Sequence, residues 1–514
     1  MDLVSQWLNE SSSDKQKAIL ELIDSPSEAK NDYIDLVKAP LKYGVFASDG
    51  PHFRYAIFGR DSLVVAQDLL NTNPRLVENI IFTLASLQGV ANSKISEEEP
   101  GKIHHEYRCE EFGDELVPEH SLILLHNLQE RWGGKGTDHV IYYGSYDATP
   151  LYVRLVGNYV KRYGPKILSK TYVRKDGKTS SIKDSVLSAT DWLCAKLEAS
   201  KLGFLEYKRI NPLGLINQVW KDSETSYLNP DGSYPNYDFP IASVELQAYA
   251  YDALRSAKLL FHDKPLVKRW DELAKKLQIA TLHHMWMPNN NFFAQAIYYD
   301  KLKRPNQITS LTSNGGLILD SHILLDLPIE QRNYYVNNIA TIICSDEFIT
   351  DAGIRCRAKR HSNIPSFIDY HGSYVVWPKE TNEIARGLRK HGLNYAAKAV
   401  EDRLLYSVLM ASEFYEFYYV EKDNTVWYNR AKAMRHFDAK SPGGNLPVPE
   451  ACQAWTISGV ERILNIKFRD KRVSLSAVEE LITRNLKPIE IPKSTRELSK
   501  LMSNKKEAAA GLLV

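Results

Sequence analysis

Residues 214–223 read GLINQVWKDS, and the fold assignment of this 514-residue chain starts from them. The stretch places one carboxylic acid, Asp222, beside the indole of Trp220 and the ammonium of Lys221. Its Gly and Asn residues favour a loop. Because an apolar wall raises the pKa of a carboxyl group and a nearby cation lowers it, such a loop can tune a general acid.

The overall composition excludes several classes of protein. Hydrophobic residues make up 44% and charged residues 25% of the chain, as is ordinary for a globular protein. The formal net charge is only +2, so neither a nucleic acid nor a membrane surface is expected as a partner. The 29 Tyr and 9 Trp would suit a carbohydrate-binding cleft, although most of them are expected to fill helix interfaces.

The cysteine pattern favours a reducing compartment. The five cysteines are odd in number and scattered without a C-x-x-C pair, so neither a disulfide framework nor a zinc site is expected. The chain begins MDLVSQ, without the basic and apolar segments of a secretion signal, and no apolar run approaches the ~20 residues that span a bilayer. We therefore expect a soluble cytoplasmic protein.

Helical periodicity recurs from one end of the chain to the other. Val244, Tyr251 and Leu254, for example, recur at the spacing of one apolar helix face. Twelve helices are predicted near residues 60–71, 75–91, 147–163, 182–199, 241–261, 265–285, 312–325, 329–343, 378–390, 393–411, 450–464 and 474–485.

Long connections without this periodicity are where functional residues are expected, because binding and catalytic residues concentrate on loops. They span residues 92–146, 200–240, 286–311, 344–377 and 411–449. Alternating apolar residues around turn-forming ones predict a short hairpin at 289–300 and another at 414–428.

Short motifs follow one another along most of the chain. They are FGRDS at 58–62, GKIHHEYR at 101–108, YGSYDATP at 143–150, GLINQVWKDS at 214–223, PIASVELQ at 240–247, GIR at 353–355, YHGSYVVWP at 370–378 and PVPEACQAW at 447–455. In this order they resemble the amylo-α-1,6-glucosidase family (the glycogen debranching enzyme C-terminal family), whose members are six-hairpin glycosidases related to glucoamylase. The resemblance covers residues 53–464.

This resemblance implies an all-α fold, an (α/α)6 barrel with long loops and short β-hairpins at the active-site mouth. Twelve paired helices are the number that the barrel requires, and its closure is implied by the resemblance alone. The expected divisions are an N-terminal helical extension (1–50) with an amphipathic helix at 15–23 outside the barrel, the catalytic barrel (51–490) and a C-terminal tail (491–514).

The resemblance also implies a glycoside hydrolase that cleaves an α-linked glucoside, or a similar small α-glycoside, with inversion. The chain departs from the family pattern at residues 373–379 and 412–447, around the expected mouth of the site, and the usual N-terminal β-sandwich is not expected in residues 1–50. The substrate is therefore not inherited from glycogen debranching, and a short one is expected.

Catalysis requires two carboxyl groups. Asp222 matches the general acid of the family, although it would otherwise cap a helix or pair with Lys221. The base is Glu416 or Glu413, with Glu416 favoured; if the segment is a strand, side chains three residues apart point to opposite faces, so at most one of them faces the cleft. Glu380 is a distant third candidate, since a carboxylate in the first turn of a helix is favoured by the helix dipole alone.

Further residues are candidates for binding the sugar. A carboxylate accepts hydroxyl hydrogen bonds and a guanidinium donates them in a fixed fork, so Arg60 and Asp61 suit the innermost subsite, although they would otherwise pair with each other. The remaining candidates are Trp220, Lys221, Arg355, His371 and Trp377, each of which also has a purely structural interpretation. Asp147 and Glu245 follow family motifs and are expected to orient loops.

No catalytic metal and no cofactor are expected. The run His104-His105-Glu106 is not H-E-x-x-H, and the chain has no Walker loop, no G-x-S-x-G and no dinucleotide-binding glycine motif. The expected partner is a small oligosaccharide or glycoside. Two alternatives stay open: a phosphorylase or epimerase on the same barrel, and a carbohydrate-binding protein without catalysis, which would be favoured if neither Glu413 nor Glu416 points inward.

Overall fold

The computed structural model describes residues 11–24, 33–40, 43–113, 115–364, 369–440, 446–469, 475–484, 486–492, 494 and 496–501. Helices dominate this part of the chain. They are α1 (Ser12–Asp24), α2 (Gly59–Asp68), α3 (Pro74–Ser86), α4 (Glu119–Trp132), α5 (Ala148–Tyr163), α6 (Ile182–Ala199), α7 (Val244–Leu260), α8 (Lys264–Met285), α9 (Asn314–Leu317), α10 (His322–Leu325), α11 (Ile329–Ile343), α12 (Pro378–Lys390), α13 (Asn394–Ala411), α14 (Arg430–Lys440), α15 (Ala454–Arg469) and α16 (Ala477–Ile482).

Within the described residues, six helical segments form a closed inner ring. Around the ring they are α2, α5, α7, the broken segment from α9 through Ile318–Asp320 to α10, α12 and α15, and α15 packs back against α2. Helices α3, α6, α8, α11 and α13 each pack outside the inner helix that precedes them. Helix α1 packs on α13 in the same outer layer. The predicted (α/α)6 barrel is confirmed.

All twelve predicted helices overlap helices of the structure, but two more helices lie in connections predicted to have none. Helix α14 buries only Ala433 and Phe437, so its apolar face is too sparse to give a periodic signal. Helix α4 does have a periodic face, with Leu125, Leu128 and Trp132 buried at helical spacing. The prediction that residues 92–146 contain no helix was therefore wrong, although the sequence carried a signal for α4.

The strands are short and lie in the connections between helices. They are β1 (Ile57–Phe58), β2 (Glu106–Cys109), β3 (Glu111–Phe112), β4 (Glu115–Leu116), β5 (His139–Tyr142), β6 (Thr171–Val173), β7 (Thr179–Ser181), β8 (Ala242–Ser243), β9 (Trp286–Met287), β10 (Phe292–Phe293), β11 (Ala296–Tyr299), β12 (Pro305–Ile308), β13 (Ile349–Thr350), β14 (Gly353–Ile354), β15 (Val375–Val376), β16 (Tyr418–Val420) and β17 (Val426–Trp427). The sheet β15–β16–β17 joins the segment before α12 to the segment after α13.

The two predicted hairpins have different outcomes. The pair β16–β17 closes around 421–424, which confirms the second one, although its first strand begins at Tyr418 and not at Phe414. The first one is wrong in register, because 289–295 and 296–300 belong to two consecutive hairpins, β9–β10 and β11–β12. Asn291, with φ +49°, makes the turn of the earlier hairpin, and a second turn at 300–304 makes the later one.

Helix α1 belongs to the continuous apolar core of the barrel through Ile19, Leu20 and Leu22. It therefore lies in the outer layer of the barrel, whereas the sequence placed it outside the barrel. Of the predicted C-terminal tail, residues 502–514 lie outside the described part. No helix in the described part combines the length and the apolarity that crossing a membrane requires.

A buried network of charges joins four segments of the inner ring. Arg386 of α12 donates to Asp68 of α2 (2.7 Å) and to Asp320 (2.8 Å), and Arg154 of α5 also donates to Asp320. Asn382 of α12 completes the shell of Asp68 at 2.8 Å. Asp68 and Asp320 are almost completely buried, so each depends on these donors in place of water.

Replacing Asp320 with Asn should destabilise the barrel strongly. The substitution leaves the buried guanidinium groups of Arg154 and Arg386 without their shared counter-charge, which costs about 3–5 kcal/mol of the free energy of unfolding. Urea denaturation of wild type and variant measures the loss. The control Asp271→Asn removes a largely exposed partner of Lys258 and should have little effect. Equal losses in the two variants would contradict the role of the network.

Candidate active site

Asp222 lies in the non-helical stretch between α6 and α7, where a charged pair from the inner ring holds it. Arg60, in the first turn of α2, donates from Nη1 to Asp222 Oδ2 (3.2 Å) and from Nε to Asp147 Oδ2 (2.7 Å). Its third nitrogen, Nη2, donates to the carbonyl oxygen of Val219 at 2.9 Å. The Arg60 guanidinium thus holds three groups: the Asp222 carboxyl group, the backbone at Val219, and Asp147, which precedes α5.

The surroundings of Asp222 favour its protonated form. Burial raises the pKa of Asp222, the charge of Asp147 adds to the increase, and Arg60 opposes it. One quarter of the Asp222 side chain stays exposed, so the carboxyl group lines an accessible space. The predicted environment of a general acid is present, but the opposing cation is Arg60 and not the neighbouring Lys221.

Glu416 faces the same region from the segment between α13 and β16. The hydroxyl of Tyr370 donates to its Oε1, and the backbone N–H of Glu450 donates to its Oε2 at 3.2 Å. Burial raises the pKa of Glu416 well above its usual range, and the hydrogen bonds from Tyr370 and Glu450 oppose that increase. Asp222 contributes to the raised pKa of Tyr370, so the phenol lies near both carboxyl groups.

Glu413 points the other way. Its Oε2 accepts from Lys15 Nζ of α1 at 2.8 Å, and its Oε1 accepts from the backbone N–H of Phe414 at 2.9 Å. The condition of the sequence argument is not met, because residues 413–416 are not a strand; Ser412 ends α13 in the left-handed conformation, with φ +58°. The two glutamates nevertheless diverge, so Glu416 joins the Asp222 region and Glu413 anchors α1.

Asp61 interacts electrostatically with both carboxyl groups. Burial raises the pKa of Asp61 to about 7; Arg60 opposes the increase and the charge of Asp222 adds to it. The charge of Asp61 in turn contributes to the raised pKa of Glu416. Asp61 occupies the first turn of α2, where the helix dipole favours a negative charge. Asp61 and Asp222 therefore both lie near Arg60, and the charge of Asp61 extends to Glu416.

Aromatic side chains form a wall beside this group. Trp220 packs edge-to-face on Trp377 (5.1 Å between ring centroids) and on Trp455 of α15 (5.5 Å). His371 stacks on Trp377 at 5.1 Å, and Tyr370 meets Trp377 edge-to-face at 4.7 Å. Trp220 and Trp377 are almost fully buried, so the wall they share is rigid. The predicted residues Trp220, His371 and Trp377 thus belong to one unit with Tyr370.

His371 is held on one side of its ring. Its Nδ1 lies 3.1 Å from Ser223 Oγ and 3.2 Å from Ser226 Oγ, which ties it to the residue after Asp222. Burial lowers the pKa of His371 well below its usual range, and the surrounding cations lower it further, so the ring is neutral. The structure therefore places it with the wall of the site.

Two predicted binding residues do not reach the carboxyl group, and this corrects the prediction. The ammonium of Lys221 is fully buried behind the loop, where it donates to Ser313 Oγ (2.7 Å) and the carbonyl oxygen of Cys356 (2.9 Å). Arg355 donates to the carbonyl oxygen of Glu421 (2.9 Å) and to Asn424 Oδ1 (2.6 Å), in the turn between β16 and β17. Both side chains have their partners in the protein and stabilise loops.

The remaining candidates also have structural roles. Glu380, the third candidate for the base, is fully buried and accepts from Trp220 Nε1 at 2.9 Å. Asp147 orients Arg60 and accepts from Ser145 Oγ at 2.7 Å. Glu245 accepts from the hydroxyl of Tyr227 at 3.2 Å.

Sequence reasoning missed Tyr370 and Glu450 as members of the site. Both lie inside the quoted motifs, at 370–378 and 447–455, but neither has a charge pattern that predicts contact with Glu416. Glu450 uses its backbone for that contact, while its carboxylate accepts from Ser48 and from His52 N at 3.1 Å. A backbone donor leaves no signature in the residue type.

Within the described residues, no cluster of three or more His, Cys, Asp or Glu side chains could hold a metal ion. The histidines of the 104–106 run are buried: burial lowers the pKa of His104 to about 3 and lowers that of His105 well below its usual range. Both rings are therefore neutral at physiological pH, and they face Tyr143 and Phe58 edge-to-face.

Comparisons with known proteins bear on the fold. No family model and no curated protein sequence matches the chain. A GH63 mannosylglycerate hydrolase from Thermus thermophilus, in complex with glucose, is similar in structure with a TM-score of 0.53 and 13% identity, over 84% of this chain and 98% of that chain. A glycosidase variant in complex with glucose has a TM-score of 0.51 and 8% identity, over 88% and 97%. The chain therefore shares the barrel of these glycosidases.

Replacing Asp61 with Asn should stabilise the protein in a pH-dependent way. The pKa of Asp61 is about 7 in the folded protein, against an ordinary value of 3.8. Below about pH 4 the carboxyl group is protonated in both the folded and the unfolded state, so it has little effect on stability. Between pH 4 and 7 only the unfolded state ionises freely, so wild type loses stability as the pH rises. The variant should therefore match wild type near pH 4 and exceed it by about 3–4 kcal/mol at pH 8. Urea denaturation across this range tests the prediction, with the surface variant Asp238→Asn as control. A difference that does not change with pH would contradict it.

Proposed function

We propose that this protein is a glycoside hydrolase that cleaves an α-linked glucoside, or a similar small α-glycoside, by an inverting acid–base mechanism. The observation that carries the proposal is that Asp222 and Glu416, two carboxyl groups with raised pKa values, both lie near Tyr370, which packs on the aromatic wall. Titratable groups arranged in this way are typical of acid–base catalysis.

Asp222 is the proton donor in this proposal. Arg60 Nη1 donates to Oδ2 of Asp222, and a guanidinium cannot accept a proton, so the acidic proton resides on Oδ1. Transfer of that proton to the glycosidic oxygen lets the C–O bond break and leaves a carboxylate that Arg60 stabilises. The raised pKa of Asp222 keeps the acid protonated at a higher pH than an ordinary aspartate allows.

Glu416 is the general base. It removes a proton from a water molecule that attacks the anomeric carbon on the face opposite the leaving group, which inverts the configuration. The donors Tyr370 and Glu450 N–H each occupy one carboxylate oxygen and oppose the increase in the pKa of Glu416 that burial causes. Inverting enzymes hold their two carboxyl groups about 6.5–9.5 Å apart to make room for this water.

Asp61 and Arg60 are proposed to bind hydroxyl groups of the sugar beside the scissile bond. The charge of Asp61 acts on Glu416, and that of Asp222 acts on Asp61, so its carboxylate is near both of the proposed catalytic groups. The similar structures include two glucose complexes, and one is named a mannosylglycerate hydrolase, which supports a small sugar substrate here. A debranching-type α-1,6-glucoside is the finer alternative that the sequence resemblance offers.

Hydrolysis is favoured over the rival functions. An epimerase would use a pair of histidines, whereas here His371 is neutral and held by two serines. A binding protein without catalysis was expected to lack an inward second carboxylate, and Glu416 supplies one. We propose a cytoplasmic location, because the five cysteines are buried and unpaired.

The first test is proton NMR of product formation from α-linked disaccharides and maltooligosaccharides, with and without phosphate. An inverting α-glycosidase should release β-glucose first, and Asp222→Asn should lower the rate by a factor of about 10³ or more, because no group is left to protonate the leaving oxygen. A first product with retained configuration would contradict inversion. A requirement for phosphate would move the assignment to a phosphorylase.

Glu416→Gln and Glu413→Gln form a matched pair for identifying the base. Glu416→Gln should lower kcat by about 10³-fold or more, since an amide cannot take up the proton of the water. Glu413→Gln should keep most of kcat and lower the melting temperature, because its partner is Lys15 of α1. Steady-state kinetics and thermal denaturation measure both effects. The reverse pattern would assign the base to Glu413.

A further inference from the structure

A buried ion pair lies directly behind the loop that carries Asp222. Lys221 Nζ and Glu380 Oε1 are 3.3 Å apart, and both side chains are fully buried. The ammonium also donates to Ser313 Oγ at 2.7 Å and to the carbonyl oxygen of Cys356 at 2.9 Å. An ammonium has three N–H bonds, and these three acceptors use all of them.

Glu380 accepts from both residues that precede Asp222. Its Oε1 receives the indole N–H of Trp220 at 2.9 Å as well as the ammonium of Lys221. Its Oε2 receives Ser313 Oγ at 2.7 Å and Cys356 Sγ at 3.0 Å. One carboxylate of α12 thus gathers four donors, two of them adjacent in the chain.

The loop needs such an anchor because it has little structure of its own. Residues 214–223 contain no helix or strand, so the place of Asp222 depends on what holds its neighbours. Arg60 holds the loop from the side of α2, through Val219 and Asp222. Glu380, in the first turn of α12, holds it from another helix of the ring.

We propose that Glu380 is a positioning residue: through Trp220 and Lys221 it fixes the loop to α12 and so holds Asp222 opposite Glu416. The proposal rests on the assignment of Asp222 as the acid. It also explains why a charged pair lies in a place where apolar residues of the same volume would be no less stable. The pair determines a geometry for Asp222 that apolar side chains, lacking directional bonds, would not determine.

The test measures the protonation of Asp222 as well as activity. Carbodiimide-promoted coupling of an amine labels protonated carboxyl groups, and peptide mass spectrometry follows the labelling of Asp222 against pH. In Glu380→Gln, the released loop should expose Asp222 to water, so its labelling midpoint should fall by about one pH unit. The other ionisable groups that face Asp222 are Arg60, Asp61, Asp147 and Tyr370, and this substitution changes none of them.

A double variant separates positioning from the simple loss of a charge. Lys221→Met with Glu380→Gln removes both charges together, leaves no unpaired buried ion, and is therefore expected to fold even where Glu380→Gln does not. Ser313 can then donate to the Cys356 carbonyl oxygen, which already lies 3.0 Å away. If the pair positions the loop, the midpoint of Asp222 falls in this variant too. A midpoint restored to the wild-type value would overturn the proposal.

Glu401→Gln is the matched control for damage to the barrel. Glu401 of α13 is also fully buried, and it accepts from Arg462 (3.0 Å) and Arg389 (2.6 Å), but it contacts nothing in the Asp222 loop. It should lower the melting temperature without moving the midpoint. A shift of the same size in Glu401→Gln would reduce Glu380 to a general contributor to stability and overturn its positioning role.

Kinetics provide the second readout. Glu380→Gln should lower kcat by about 10²-fold with little change in KM, because a misplaced acid affects the transition state more than substrate binding. The labelling experiment needs no turnover. A wild-type protein without glycosidase activity but with the predicted labelling shifts would therefore contradict the proposed function and leave the positioning role standing. Glycosidase activity without the labelling shifts would support the proposed function and contradict the positioning role of Glu380.

Discussion

The closed ring of inner helices depends on two buried carboxylates, Asp68 and Asp320. Each accepts hydrogen bonds from side chains of other helices in place of water. Each accepts from Arg386 of α12, which therefore ties α2 to the broken helical segment across the ring. Such charges are tolerated in an interior only when every partner is in place. The ring is consequently held by bonds of defined direction as well as by apolar contact, and its helices cannot slide past one another without breaking them.

The chemistry of the site follows from where that ring places the beginnings of its helices. Arg60 and Asp61 begin α2, Glu380 begins α12, and Trp455 begins α15. Arg60, Glu380 and Trp455 contact the Asp222 loop, and Asp61 interacts with the charge of Asp222. Helix starts favour acidic groups through their dipoles, which offsets part of the cost of burying several carboxyls together. The loop contributes Asp222, the acid of the proposed mechanism, and the helices around it determine where that carboxyl group lies.

Much of this could be predicted from the sequence, and the failures share one physical cause. Periodicity predicts helices because burial repeats with the helix, and motif order was enough to bring Arg60, Asp61 and Asp222 together. Neither reports the direction of a charged side chain in a loop, so Lys221 and Arg355 were assigned to the sugar although they stabilise loops. Glu416 was favoured over Glu413, but the sequence could not assign Glu413 to its partner, which lies 398 residues away in the chain.

Asp68 also sets an order of events during synthesis. Its partners Asn382, Arg386 and Ser458 follow it by 314, 318 and 390 residues. A ribosome that adds about 5–20 residues per second needs roughly 20–80 s to deliver the last of them. Throughout that interval the Asp68 carboxylate must remain hydrated, and α2 cannot pack against α12 and α15. The ring therefore closes only near the end of translation. The nascent chain therefore exposes the apolar faces of its early helices for longer than a protein built from local contacts would.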